Sequence, residues 1–174
     1  DAAPIVRIVH SDVVALGSIA EIDCALELRG YEKKAPTLTM LLDLSGAVEI
    51  KTSLENGSIE KVDARSWLQA WYAFTNRNME EINAHKALLE KSDFRHLFLL
   101  KKGFDEAPMS SGMAVYANQA MGLFGISTAI GQREKGHALD IINSLLCWGF
   151  AKGSRFAYLQ VEEANSMAVN LYQK

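Results

Sequence analysis

The chain has 174 residues, of which 49% are hydrophobic and 22% are charged, and its formal net charge is −3. This balance is typical of a globular domain with its own core, and it argues against disorder over most of the chain. No run of Lys or Arg stands out, so we expect neither a nucleic-acid surface nor an anionic-membrane surface.

The first 58 residues are predicted to form short strands and one helix. Gly30 follows the predicted helix as a C′ residue, and Asn56-Gly57 favours a turn. The predicted elements are strands over 4–9, 36–44 and 47–53 and a helix over 18–29.

The middle of the chain begins with two predicted helices, over 63–75 and 79–91. In the first, Trp67, Trp71 and Phe74 recur at helical spacing, which favours a core face over a ligand cage. Asn118-Gln119 is predicted to be a hairpin turn between two of the strands that follow. These strands are predicted over 94–101, 112–118 and 120–129.

The last third alternates strand and helix. After a loop over 130–135, a helix over 136–152 has a broad apolar face, which requires burial against a sheet. A strand over 156–161 and a helix over 165–172 complete a βαβα unit. The strands that flank the long helix are therefore predicted to be parallel.

The cysteines and the termini bear on the compartment. Cys24 and Cys147 are too few and too far apart for a disulfide framework or a zinc site. We therefore predict reduced thiols in a cytoplasmic protein that holds no metal. No signal peptide and no membrane-spanning run is expected. Because the sequence begins without Met and stops at Lys174, we expect it to be part of a longer protein.

The loop before the long helix has the features of an anion site. The N–H groups of a first helical turn lack partners, and the helix dipole adds positive potential. Gly136 lets the backbone approach a phosphate closely, and Arg133 and Lys135 add positive charge. A diphosphate would fit there. On residues 132–138 alone, however, an ordinary helix start with solvated basic side chains is the favoured interpretation.

A wider pattern reverses that preference. Residues 133–138 carry Arg-x-x-Gly-x-Ala, which resembles the diphosphate-loop signature of the GNAT superfamily of acetyl-CoA-dependent N-acetyltransferases. The strand at 122–128 resembles the family strand whose backbone contacts the acyl-CoA. Residues 157–172 are similar to the next strand and helix, with an Asn165…Tyr172 pattern. The resemblance implies an α/β (α+β) fold, a mixed twisted sheet flanked by helices.

The sequence departs from the family pattern at three points. Glu134 stands where a small residue is usual, and its negative charge lies near the expected diphosphate. His137 stands where an aliphatic residue is usual, and we expect it to pack rather than turn toward the phosphates. The family's closing strand would follow Lys174, so we expect an open sheet edge. Either further residues or another chain, with a homodimer as one candidate, would complete it.

The N-terminal part also resembles the family. Residues 25–31, followed by 36–40, are similar to the closing helix, turn and strand of a GNAT unit. The domain prediction is a degenerate GNAT-like segment over 1–58 with a structural or substrate-shaping role. An acetyltransferase domain is predicted over 59–174.

The resemblance implies an enzyme that moves an acetyl group from acetyl-CoA to a primary amine by direct attack in a ternary complex. Tyr172 is the candidate general acid, with an aromatic packed under the sheet as the alternative. Asn165 would bind the pantetheine arm or cap its helix. The residues expected to bind acetyl-CoA are Ile126, Ser127, Thr128, Arg133, Glu134, Lys135, Gly136, His137, Ala138, Asn165 and Tyr172.

The general base and the acceptor stay open. Candidates for the base are Glu162, Glu163, His85, His96 and water. The acceptor, a small-molecule or protein amine, would be bound by the helices over 67–91 and by loops. A regulatory module that binds acetyl-CoA without turnover is the alternative function. An interaction protein with a decayed site is a third interpretation, which the intact loop and Asn…Tyr patterns disfavour.

Overall fold

The computed structural model describes residues 16–46 and 58–173. A boundary between two compact units falls between Pro36 and Thr37. None of the helices in these residues is long and apolar enough to cross a bilayer. The helices are α1 (Leu16–Glu27), α2 (Ala64–Thr75), α3 (Ile82–Glu90), α4 (His137–Ala151) and α5 (Ser166–Tyr172). The strands are β1 (Thr37–Asp43), β2 (Ser58–Lys61), β3 (Arg95–Lys102), β4 (Pro108–Ala117), β5 (Ala120–Thr128) and β6 (Phe156–Glu162).

The N-terminal unit contains α1. Its helix ends in a turn at Gly30, whose φ of 80° is a left-handed conformation that glycine adopts without steric cost. The Arg29 side chain donates to the carbonyl of Ala25, and Lys33 pairs with Asp23 at 3.1 Å. The predicted helix and its glycine stop are therefore confirmed.

The second unit is built on one mixed sheet with the strand order β1-β6-β5-β4-β3-β2. Among the strands in the described part of the chain, only β5 and β6 are parallel, and every other neighbouring pair is antiparallel. A right-handed crossover is the rule for such parallel neighbours, and α4 makes this connection. The predicted parallel pair is confirmed, as is a mixed sheet flanked by helices.

Two apolar clusters cover the sheet. The first includes Leu145 of α4 and Ala157 of β6, with α5 packed against it. The second includes Trp67 and Tyr72 of α2, with Phe98 of β3 and Trp71 packed against it. The predicted core role of the α2 aromatics is confirmed, and α4 is buried along its apolar face as expected.

Local sequence signals explain the two ends of α2 and the turn between β4 and β5. Asp63 accepts from Ser66 N at 2.8 Å and caps α2. Asn76 ends α2 with a φ of 51°, and Asn is among the residues that tolerate this conformation. Asn118 and Gln119 have φ values of 49° and 62°, as in a two-residue hairpin turn. The predicted hairpin is therefore confirmed.

Three expectations need correction. No strand is predicted over Ser58–Lys61, yet these residues pair with β3. The predicted strand begins at Gly112, whereas β4 begins at Pro108. An open sheet edge is expected after the last helix, but β1 pairs with β6 in continuous register from Thr37↔Glu162 to Asp43↔Phe156. The predicted strands over 4–9 and 47–53 and the turn at 56–57 lie outside the described residues.

Candidate active site

A cleft opens where β5 and β6 separate. The two strands pair from Ala120↔Phe156 to Leu123↔Leu159. Both then continue, β5 to Thr128 and β6 to Glu162, without further pairing to each other. The backbone of residues 124–128 therefore borders the cleft, and backbone groups that no neighbouring strand satisfies can bind an extended ligand.

A bulge in β5 lies at the start of this cleft. Ser111 pairs with Ser127 and Met113 with Phe124, so two residues of β5, Gly125 and Ile126, lie opposite one residue of β4. The Ser111 hydroxyl, which is fully buried, donates to the Gly125 carbonyl at 3.2 Å. A bulge takes one residue out of the ladder and redirects its backbone groups.

Gly125 is required at the bulge for two reasons. Its φ is 57°, and a Cβ at this position would overlap the Trp67 indole. We expect Gly125→Ala to lower the free energy of unfolding by about 2–4 kcal/mol, because it combines left-handed strain with overpacking. Urea denaturation measures this. Gly131→Ala is the control, since a Cβ there meets nothing within 4 Å, and its effect should stay within about 0.5 kcal/mol. Equal effects of the two variants would contradict the role of the bulge.

The loop between β5 and α4 is held by its own basic side chains. Arg133 Nε donates to the Thr128 carbonyl at 3.3 Å. Lys135 Nζ donates at 3.0 Å to both the Gly131 carbonyl and the Gln132 side chain. The guanidinium of Arg133 keeps further N–H groups for a ligand, whereas the amino group of Lys135 closes the loop. Both residues were expected to add positive charge at the anion site, with Arg133 as the main ligand and Lys135 as a helper, and this role stays a prediction.

The first turn of α4 provides backbone donors. Gly136 is the N-cap residue with a φ of 82°, and it supplies no side-chain hydrogen bond to the helix. A Cβ at Gly136 would meet nothing within 4 Å, so the space beside this residue is open. The arrangement of Gly136, Ala138 and the dipole of α4 suits an anionic group. Glu134 and Arg133 are both exposed beside it.

Asn165 and Tyr172 occupy the helix that follows β6. The Asn165 side chain accepts from Ala168 N at 3.2 Å and caps α5. Tyr172 is half-buried and packs against the cluster under α4. Burial raises the pKa of the Tyr172 phenol above its ordinary value of 10.0, because it disfavours the phenolate. The phenol therefore stays protonated at neutral pH, as a proton donor must.

Comparison with protein-family models and with curated proteins finds no match to the sequence. Solved structures do match. A GCN5-related N-acetyltransferase from Sphaerobacter thermophilus is 14% identical with a TM-score of 0.69, over 84% of this chain and 49% of that chain. The aminoglycoside N-acetyltransferase AAC(6')-Iy in complex with CoA is 20% identical with a TM-score of 0.54, over 67% and 84%. A chimera of the spermidine N-acetyltransferase SpeG from Vibrio cholerae and hSSAT is 20% identical with a TM-score of 0.56, over 68% and 78%.

The chain has the GNAT fold. This confirms the fold that the sequence resemblance implied, and at such low identities the likeness concerns the fold alone. The chain spans about half the length of the Sphaerobacter thermophilus protein. In this GNAT fold, the cleft between β5 and β6, the bulge and the start of α4 are contributed by consecutive segments of one chain.

A buried ionic cluster, which no sequence pattern predicts, lies beneath the loop. Lys101 of β3 is 1% exposed and forms an ion pair with Asp140 in the first turn of α4. His137 is 3% exposed, and its Nδ1 is buried without a hydrogen-bond partner among the described residues. Burial lowers the pKa of His137, and the charge of Lys101 lowers it further. The expectation that His137 packs is confirmed.

The candidate bases are scattered. Glu162 and Glu163 are both exposed. His85 shares a 2.9 Å hydrogen bond with the fully buried Tyr72 hydroxyl. His96 stacks on Phe98 with ring centroids 5.8 Å apart, and burial lowers its pKa. The two histidines thus have structural partners, and Glu162, Glu163 and water stay the other candidates for the base.

Proposed function

We propose that this protein is an N-acetyltransferase that transfers an acetyl group from acetyl-CoA to a primary amine by direct attack in a ternary complex. The single observation that carries the proposal is the separation of β5 from β6 beyond Leu123, with the bulge at one end and the start of α4 at the other. The CoA complex of the aminoglycoside enzyme, which has the same fold, supports CoA as the ligand.

The residues present fit acetyl-CoA. Gly136 leaves open space in front of the uncapped first turn of α4, where the N–H groups and Arg133 would hold the diphosphate. The backbone of Ile126, Ser127 and Thr128 would pair with the pantetheine arm. His137 is assigned to packing rather than to the phosphates, because its side chain is buried. Glu134 is exposed and free to turn into solvent.

Bound acetyl-CoA supplies an acetyl thioester whose carbonyl carbon accepts the amine. The backbone N–H that the bulge removes from the ladder, at Gly125–Ile126, would donate to the carbonyl oxygen as negative charge develops there. The amine attacks with its lone pair, the carbon–sulfur bond breaks, and one amine proton is lost. Tyr172, kept protonated by burial, would donate a proton to the leaving sulfur. Water would accept the amine proton and return a proton to the Tyr172 oxygen.

The acceptor is proposed to be a small-molecule amine. The aminoglycoside and spermidine acetyltransferases that share the fold support this class. A non-catalytic acetyl-CoA-binding module is the second candidate function, favoured by the lack of an evident base and by Glu134 beside the loop. Several expectations from the sequence stay predictions. They are the cytoplasmic location, the lack of a metal, of a nucleic-acid partner and of a membrane partner, the oligomeric state, and the domain boundary near residue 58.

The test is calorimetric titration with acetyl-CoA. We expect the parent to bind, and an Arg133→Glu, Gly136→Trp double variant to lose about 100-fold or more in affinity, because it reverses a charge and fills the space before α4. Arg95→Glu is the matched control. Arg95 is exposed at the start of β3, which runs parallel to β5, so it lies at the end of the sheet away from the loop.

If the parent and the control bind and the double variant does not, the result supports acetyl-CoA as the ligand and the loop before α4 as its binding site. Thermal unfolding of all three proteins shows whether the double variant is folded. Release of free thiol with an amine panel then separates the enzyme from the regulatory module. If the folded parent does not bind acetyl-CoA, the proposed acetyltransferase function is contradicted.

A further inference from the structure

Two indole rings of α2 lie beside the β5 bulge. Trp67 is buried and stacks on Trp71, with ring centroids 5.3 Å apart and planes inclined by 12°. A Cβ at Gly125 would stand 3.3 Å from Trp71 Nε1. The half-buried Trp71 ring therefore borders the backbone that is proposed to hold the acetyl group. An acceptor that reaches this backbone from the α2 side passes Trp71.

The second face of the Trp71 ring carries a cation. Because Trp67 stacks on one face, the other face is left for the guanidinium of Arg77, whose Cζ lies 4.5 Å from the ring centroid. This distance is that of a cation–π interaction, and Trp is the ring that binds cations best. Arg77 is exposed and follows the end of α2 at Asn76. Its side chain can therefore leave the ring for water without opening the core.

We infer that this face of Trp71 is the subsite for a second, protonated nitrogen of the acceptor, and that Arg77 occupies it when no acceptor is bound. The inference rests on the proposed function and names its acceptor class, an amine that carries at least two nitrogens. The nitrogen that attacks must be neutral, whereas the second one stays charged over the indole. The net charge of −3 adds a weak attraction for such a ligand.

Putrescine and n-butylamine are suitable probes, because they differ only in the second amino group. Binding is measured by calorimetry in the presence of CoA, and KM by thiol release from acetyl-CoA. Trp71→Leu should raise the Kd and KM of putrescine about 5- to 30-fold and leave those of butylamine within about twofold. Trp71→Phe, which keeps a ring in the packing, should fall between the parent and Trp71→Leu.

Arg77→Gln tests the competition on the ring. It should lower the Kd and KM of putrescine, because the resident cation is gone, and leave butylamine unchanged. Arg65→Gln is the matched control, since Arg65 is also exposed and lies on α2, the helix that carries Trp71. It should change neither probe. Thermal unfolding of each variant confirms that the packing around Trp67 is kept.

The outcomes separate this inference from the proposed function. Thiol release with equal constants for the two amines, unchanged by Trp71→Leu, would overturn the subsite and leave the acetyltransferase proposal standing. Trp71-dependent binding of putrescine by a protein that releases no thiol would support the subsite and contradict the proposed function. Failure of the parent to bind putrescine at all would also overturn the subsite.

Discussion

Tyr172→Phe is expected to lower kcat about 100-fold or more while acetyl-CoA affinity stays within about twofold. The variant removes one hydroxyl and keeps the ring that packs under α4. The variant would lose only the proposed donation of a proton to the leaving sulfur, which belongs to the transition state rather than to binding. Steady-state kinetics and calorimetry on the same preparation measure the two quantities.

The pH profile gives a second test of Tyr172. Burial raises the pKa of the phenol above its ordinary value, so the donor stays protonated as the pH rises. The parent should therefore show no alkaline loss of kcat below about pH 10 from this group. Tyr158→Phe is a suitable control, since Tyr158 is a half-buried tyrosine of β6. If Tyr172→Phe and Tyr158→Phe both leave kcat unchanged, Tyr172 has no part in the chemistry.

The ion pair between Lys101 and Asp140 is expected to be the most sensitive polar contact beneath the loop. Asp140→Asn should lower the free energy of unfolding by about 3–5 kcal/mol, because it leaves the cation of Lys101 buried without its carboxylate. Lys101→Met should cost less, about 1–3 kcal/mol, since the Asp140 side chain is 14% exposed and lies favourably at the start of α4. This order follows from the unequal exposure of the two partners.

Urea denaturation of the single variants and of a Lys101→Met, Asp140→Leu double variant closes a double-mutant cycle. The double variant should be more stable than Asp140→Asn, because no charge is left buried. Glu60→Gln is the control, because it breaks the ion pair between Glu60 and Lys102. In this pair the Lys102 side chain is 23% exposed and the Glu60 side chain is 40% exposed. Its cost should stay below about 1 kcal/mol. Similar costs for Glu60→Gln and Asp140→Asn would show that burial does not govern the Lys101 pair.

Local patterns predicted the parts of the fold that local physics decides. The broad apolar face of α4 and the hairpin at Asn118-Gln119 are each contained in a few neighbouring residues, and the structure confirms them. The loop at Arg133–Ala138 has a local signature of a helix start with basic residues, but only the wider resemblance over residues 122–172 favoured an anion site there.

The pairing of β2 with β3 and of β1 with β6 could not be predicted from the sequence. Ser58–Lys61 has no alternation strong enough to mark an edge strand, and it is a strand only because β3 offers it an edge. Lys101 follows a run of apolar strand residues, and Asp140 is an ordinary polar residue of an amphipathic helix, so neither reveals the other. The need for Gly125 comes from Trp67, which lies on another element. Each of these features depends on three-dimensional proximity.

The placement of β1 on β6 has a consequence for synthesis on the ribosome. Gln160 Nε2 donates to Thr39 Oγ1 at 3.4 Å across 121 positions of the chain. Thr37–Asp43 therefore leaves the exit tunnel long before β6 has been synthesised. Until then, the apolar side chains of Leu41 and Leu42 belong to a strand that has no partner strand. Such a strand is exposed to wrong pairings while it waits, and its docking carries the loop-closure cost of the longest contacts in the sheet. A nascent chain that stalls before Phe156 would present this strand to chaperones rather than to its own sheet.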